Sequence, residues 1–176
     1  MHHALLAFLS VWNLFGLLSS EKGEITQLNA TFANGGVNVL CRMTGLDRGL
    51  LWKSLASGEE VVFTFHLGFY RERRFWFNET LHEVDVNQSL SYNNLTRQFL
   101  GRSEGLGRSE VLFGDLDSAL QWLSTLKGRI TPPDFAGWQK STIVLQVKVL
   151  MEKRRLLFVV PYETVSPVKR VKLYCP

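Results

Sequence analysis

The chain is poor in the residues that usually announce chemistry. Only two cysteines and four histidines occur in 176 residues. None stands in a Cys-x-x-Cys pair or a His-Glu-x-x-His helix, which removes the common zinc signatures. No serine occupies a G-x-S-x-G elbow, so the α/β-hydrolase nucleophile is excluded. The glycines of residues 101–110 (GRSEGLGRSE) miss both the G-x-G-x-x-G spacing of a dinucleotide fold and the P-loop pattern. The apolar run at residues 4–18 (ALLAFLSVWNLFGLL) is broken by Asn13 and Gly16, and it falls short of the roughly 20 apolar residues that cross a bilayer. No charged residue precedes Glu21.

What is present is an ordinary globular composition, 45% hydrophobic and 20% charged. It is carried on a length that suits one domain with a proper core. The run at residues 4–18 and the small Ser19 and Ser20 behind it read as the h-region of a signal peptide. An uncleaved signal anchor is the alternative, because Met1-His2-His3 brings no Lys or Arg and no A-x-A cleavage pattern follows. Residues 1–20 are therefore expected to direct export, and residues 21–176 to form a single β-rich domain. The net charge of +4 lies wholly in that domain, compatible with an anionic partner but too diffuse to name one. An exported chain with Cys41 and Cys175 permits one disulfide closing a loop of roughly 135 residues, worth about 4–5 kcal/mol by chain entropy. Two separate buried thiols are the other option.

Periodicity predicts a sheet protein. Residues 25–32 and 37–43 flank Asn34-Gly35-Gly36, a hairpin turn. Residues 47–57 read as a short helix capped by Asp47 and ended by Gly58, with Leu46, Leu50, Leu51 and Leu55 along one side. Residues 60–70 alternate strictly: Phe63, Phe65, Leu67 and Phe69 fall on one face, Thr64, His66 and Gly68 on the other. Residues 81–92 continue in extended form after an arginine turn, and residues 95–100 suggest another short strand. The segment 101–110 reads as a flexible linker. Residues 115–127 form the second helix, from the Asp115 cap to Gly128. Residues 141–151, 156–160 and 168–175 are further strands, the last two separated by Pro161 and Pro167. The expected fold is mainly β: an antiparallel sandwich or curled sheet with two short helices packed on it.

His66 and His82 sit on neighbouring expected strands, where they could face each other. No third ligand accompanies them, so neither a metal nor a cofactor is expected. The cations are better organised. Arg71-Glu72-Arg73-Arg74, Lys153-Arg154-Arg155 and the Lys169, Arg170, Lys172 group all border strand ends. Together with Trp76 and Tyr70 they would make a basic, aromatic rim suited to phosphate or carboxylate, while the plainer reading is edge protection. Export argues against nucleic acid, and no RNA-binding motif is present. Four N-x-S/T sequons, at Asn29, Asn78, Asn87 and Asn94, would carry sugar only in a eukaryotic secretory pathway.

Three blocks carry a family resemblance: Phe63-Thr64-Phe65, Arg71-Glu72-Arg73-Arg74-Phe75-Trp76, and Leu90-Ser91-Tyr92-Asn93-Asn94-Leu95-Thr96-Arg97-Gln98-Phe99, followed by an F-x-x-L-x-x-AL segment at residues 113–120. In order and content they resemble the proteobacterial domain of unknown function 4390, over about residues 28–160. The resemblance implies an exported protein, often encoded near a nitrogen-regulation-type sensor kinase pair, with no established activity and no catalytic residue to carry over. The chain departs from that pattern at its C-terminus, where Val160-Pro161-Tyr162 and Tyr174-Cys175-Pro176 replace the family's L-P-x-P segment and tryptophan-rich strand.

These readings converge on a non-enzymatic periplasmic protein that binds a protein partner or an anionic envelope component. Membrane association would come only through an uncleaved N-terminus. The expected binding residues are Arg71, Arg73, Arg74, Trp76, Tyr92, Asn93, Thr96 and Arg97; alternatively Tyr92, Asn93 and Thr96 fix a strand corner. Two other functions stay open. One is an envelope enzyme centred on His66 and His82, the other a carrier of small apolar ligands walled by the strand face running from Phe63 to Phe69.

Overall fold

A computed structural model describes residues 23–33, 35–73, 79–138, 141–154 and 159–174. The expected leader at residues 1–20, and Arg74, Trp76 and Cys175, lie outside the described residues. The first hairpin is β1 (Glu24–Ala33) and β2 (Gly36–Thr44), and Gly35 at its tip takes φ +81°. Helix α1 (Arg48–Ala56) follows, capped by the Asp47 carboxylate, which accepts from the Leu50 N–H at 3.0 Å. Then come β3 (Glu60–Arg71), β4 (Glu79–Asn93), β5 (Gln98–Glu104) and β6 (Ser109–Phe113). Helix α2 (Leu116–Leu123) leads into β7 (Thr125–Ile130), and β8 (Thr142–Arg154), β9 (Val159–Val165) and β10 (Lys169–Tyr174) complete the order.

These strands form two antiparallel sheets, one in the order β1-β2-β7 and one in the order β10-β8-β3-β4-β5-β6 with β9 also on β8. The β3 alternation explains the arrangement. Phe63, Phe65 and Phe69 are fully buried, Leu67 nearly so. They meet Val37, Val39 and Cys41 of the small sheet in one continuous core. Leu51 and Leu55 of α1 and Ala119 and Leu123 of α2 join that core. The result is the mainly β, two-sheet architecture with two short helices that the periodicity predicts.

Three local expectations need correction. The second helix stops at Leu123, and residues 125–130 leave it to pair with β2, Cys41 opposite Leu126. Leu126 satisfies a helical and a strand period equally well, and Ser124 closes the helix by bonding its N–H to the Leu120 carbonyl. Residues 101–110 are not a flexible linker but the hairpin joining β5 to β6. Its near-repeat has a physical purpose: antiparallel pairing sets the arginine of each GRSE copy against the glutamate of the other. Arg102 meets Glu110 at 2.9 Å and Arg108 meets Glu104 at 3.2 Å. Gly105 and Gly107 supply the turn's left-handed backbone, at φ +110° and +104°. Finally, Pro161 does not separate strands but lies inside β9, on a sheet edge where its missing N–H is tolerated.

One edge of β8 is shared by β9 and β10 in tandem. Ser166 fills the gap between them. Its N–H donates to the Val149 carbonyl and its hydroxyl accepts from the Val149 N–H, both at 2.9 Å. Because Ser166 is buried, Ser166→Ala strands a backbone donor and is expected to lower unfolding free energy by about 1–3 kcal/mol in denaturant titration. A neutral effect would mean the tandem junction does not exist in solution.

Cys41 lies in the middle of β2, fully buried, and burial pushes its thiol from 9.0 up to about 12. Cys175, with which the sequence permits but does not require a disulfide, is outside the described residues. The folded state favours the neutral thiol, so this residue's contribution to stability is complete below pH 9.0 and is lost as the pH rises toward about 12. In a Cys175→Ser variant, Cys41 is expected to resist thiol reagents at pH 8 until denaturant is added. Rapid native labelling would contradict the burial.

Candidate functional site

The sequence-expected binding residues do not assemble in one place. Arg71 ends β3 and Asn93 ends β4, and these two strands are antiparallel. The 15 residues of β4 put the two groups on the order of 45 Å apart at about 3.3 Å per residue.

At the Arg71 end, Arg71, Arg73 and Lys172 are already paired. Arg71 Nη1 and Arg73 Nη2 both donate to Glu79 Oε2, at 3.1 and 2.7 Å. Arg71 Nη2 also donates to the Gly137 carbonyl at 2.6 Å. Lys172 Nζ meets Glu72 at 2.8 Å. The expected common basic rim is also divided, because Arg71 pairs with Ile143 at one end of β8 while Arg154 pairs with Glu60 at the other.

At the other end, Asn93 turns the chain. Its Oδ1 accepts from the N–H groups of Leu95 and Thr96, at 2.9 and 3.2 Å, and its carbonyl accepts from the Arg97 N–H at 2.8 Å. Thr96 thus contributes through its backbone, and Arg97 sits at φ +57°, the one left-handed non-glycine position among the described residues. The corner reading of Asn93 and Thr96 is the one the geometry realises. Tyr92 and Arg97 instead face a groove.

That groove, about 570 Å³, runs between the N-terminal ends of α1 and α2 over the end of β4 and β5. Tyr92 and Phe99 form its floor, with ring centroids 4.7 Å apart, and Trp52 packs edge-on to Tyr92 at 5.1 Å. Trp52 remains 40% exposed, so part of its ring is open to a partner. Arg48 is bound to Asp117 at 2.8 Å, clipping the two helices together. Asp115 caps α2, and the Ser118 N–H that it accepts, with Arg48 beside it, holds its carboxyl below the usual range. Arg97 is the one arginine lining the groove for which no ion pair occurs among the described residues. Trp52 and Arg48 escaped the sequence reading. The available signal was a tryptophan on the flank of α1, next to Leu50, which is 43% exposed rather than buried in the expected leucine stripe.

The two histidines are on opposite faces of the large sheet. His66 pairs in register with Asp85, on the face away from the core, while His82 pairs with core-facing Phe69 and stacks on its ring. His66 Nδ1 is 2.5 Å from Asp85 Oδ1, and its Nε2 is covered and has no partner among the described residues. Nearby, Tyr70 folds over Gly68 and donates to Glu83 at 2.9 Å; burial, then this carboxylate, raise the phenol's pKa. These groups line a cavity of about 270 Å³. Among the described residues no cluster of three or more His, Cys, Asp or Glu could hold a metal ion, and no helix is long and apolar enough to cross a membrane.

No curated protein matches the chain. Nor does any solved structure. A family model does, over residues 20–157, which include the β3–β4 hairpin, the Asn93 turn and both helices. The chain therefore belongs to the family described as Domain of unknown function (DUF4390).

Proposed function

We propose that this protein is a non-enzymatic binding module of the bacterial cell envelope, exported by its N-terminal segment, which docks a protein partner in the Trp52–Tyr92–Phe99 groove. The observation that carries the reading is an exposed tryptophan on an aromatic floor beside an arginine that has no acidic partner among the described residues. Aromatic and arginine side chains in that setting dominate interface energies. The fork of Arg97 would accept a carboxylate of the partner, and the rings would bury an adjoining apolar side chain. Tyr92 and Arg97 are retained from the sequence expectation. Arg71 and Arg73 are reassigned to holding the β3–β4 end through Glu79.

The competing functions have less support. An enzyme built on His66 and His82 needs both at one cleft, and they lie on opposite faces. The apolar carrier needs the face from Phe63 to Phe69 as a ligand wall, and that face is filled as core.

The test is crosslinked co-purification from membranes followed by binding measurements on the partner so found. Trp52→Ala and Arg97→Ala are each expected to weaken binding about tenfold or more, with the fold retained by circular dichroism and, for Arg97→Ala, little change in melting temperature. Unaltered binding in both variants, or a loss produced only by Arg73→Ala, would reject the groove.

A further inference from the structure

An open sheet edge invites another strand, and proteins blunt it with cations, a proline or a bulge. β10 carries Lys169, Arg170 and Lys172, and β7 carries Lys127 and Arg129. Pro161 removes a donor from β9, and β1 is bulged between Ile25 and Gln27. β6 has none of these protections. It ends the large sheet, pairs with β5 in unbroken register, and has no strand on its other side among the described residues. Its sequence, Ser-Glu-Val-Leu-Phe, holds a single charge, and Glu110 is tied back to Arg102.

Both faces of this strand leave apolar area in water. Val111 lies opposite Gly101, on the face that Trp122 and Phe113 share. It is nevertheless 38% exposed, with no strand to cover its far side. Leu112, on the opposite face beside Leu100, is 63% exposed.

A second copy suits the edge because the edge is self-complementary. Turned antiparallel about a two-fold axis at Leu112, β6 sets Leu112 against its own copy and Val111 against Phe113. Glu110 then faces Gly114, so no like charges meet. An axis one residue earlier, at Val111, would set Glu110 against Leu112 on both sides. The flanks match as well. Arg108 precedes β6 and Asp115 and Asp117 follow it, so each copy's arginine falls level with the other's carboxylates. An edge of 5 residues buries less than the roughly 1,200 Å² of a standard interface, so the association is weak.

We propose that this protein self-associates through β6, two copies joining their large sheets into one continuous sheet across a two-fold axis at Leu112. The test is sedimentation equilibrium of the purified full-length protein from micromolar to millimolar concentration, together with oxidative crosslinking. The wild type shows a reversible monomer–dimer equilibrium with a Kd on the order of 100 μM. Leu112→Lys, at an exposed position, sets two cations face to face and weakens it about tenfold or more, with the wild-type circular dichroism. In a Cys175→Ser background, Leu112→Cys oxidises to a covalent dimer, because directly opposed Cα atoms lie roughly 4.5–5.5 Å apart, within disulfide reach. Ser109→Cys does not, since its two copies stand about 20 Å apart along the paired strands. These crosslinks decide the matter if Leu112→Lys does not fold. Trp52→Ala leaves self-association unchanged, so this edge and the groove are judged separately. A protein still monomeric at millimolar concentration, its edge left for some other chain, overturns the proposal. So does a dimer undisturbed by Leu112→Lys, or Ser109→Cys crosslinking as fast as Leu112→Cys.

Discussion

The burial of one face of β3 is the constraint on which the molecule depends. Phe63, Phe65, Leu67 and Phe69 are withdrawn from water almost completely, each contributing about 1.5–3 kcal/mol relative to exposure. A strand with such a face must be flanked and covered. β4 and β8 flank it along nearly its whole length, eleven and twelve register pairs respectively, which makes it the centre of the large sheet. The cover is supplied by the small sheet together with α1 and α2. Pairing with β4 also forces the long hairpin whose two ends hold different polar groups.

That geometry explains why one set of sequence-adjacent residues serves two ends of the molecule. The Arg71 end is closed by ion pairs with Glu79 and by the Lys172–Glu72 contact. These pairs are partly exposed and add little stability, but they tie Arg71, Arg73 and Lys172 to two carboxylates. The Asn93 end is opened by a tight turn that carries Arg97 beside the groove. The first turn of α2 lines the groove through Leu116, and Ala119 and Leu123 fix the helix to the core.

Much of the fold was legible because it follows from period and capping. The alternation at residues 60–70, the hairpin signal around Gly35-Gly36 and the Asp47 and Asp115 caps all reappear as β3, the first hairpin and the two helix starts. What was hidden depended on long-range pairing. Residues 125–130 become a strand only because β2 offers a partner, which no local pattern reports. The GRSE near-repeat was visible, but its meaning required the antiparallel register that crosses each arginine with the other copy's glutamate. The sites followed the same rule. Tyr92 and Arg97 could be chosen from one block, whereas Trp52 matters through neighbours far away in the chain. The histidine pair failed as a joint site because strand parity, which separates the faces, depends on a register that spacing alone does not define.

Amide hydrogen exchange by NMR tests the central claim most directly, since protection reports local opening against global unfolding. The account predicts that amides of β3, with those of β4 and β8 paired to it, exchange slowest and together, while β6 and the turn after Asn93 exchange much faster. Amides of β3 exchanging as quickly as those of β6 would contradict it.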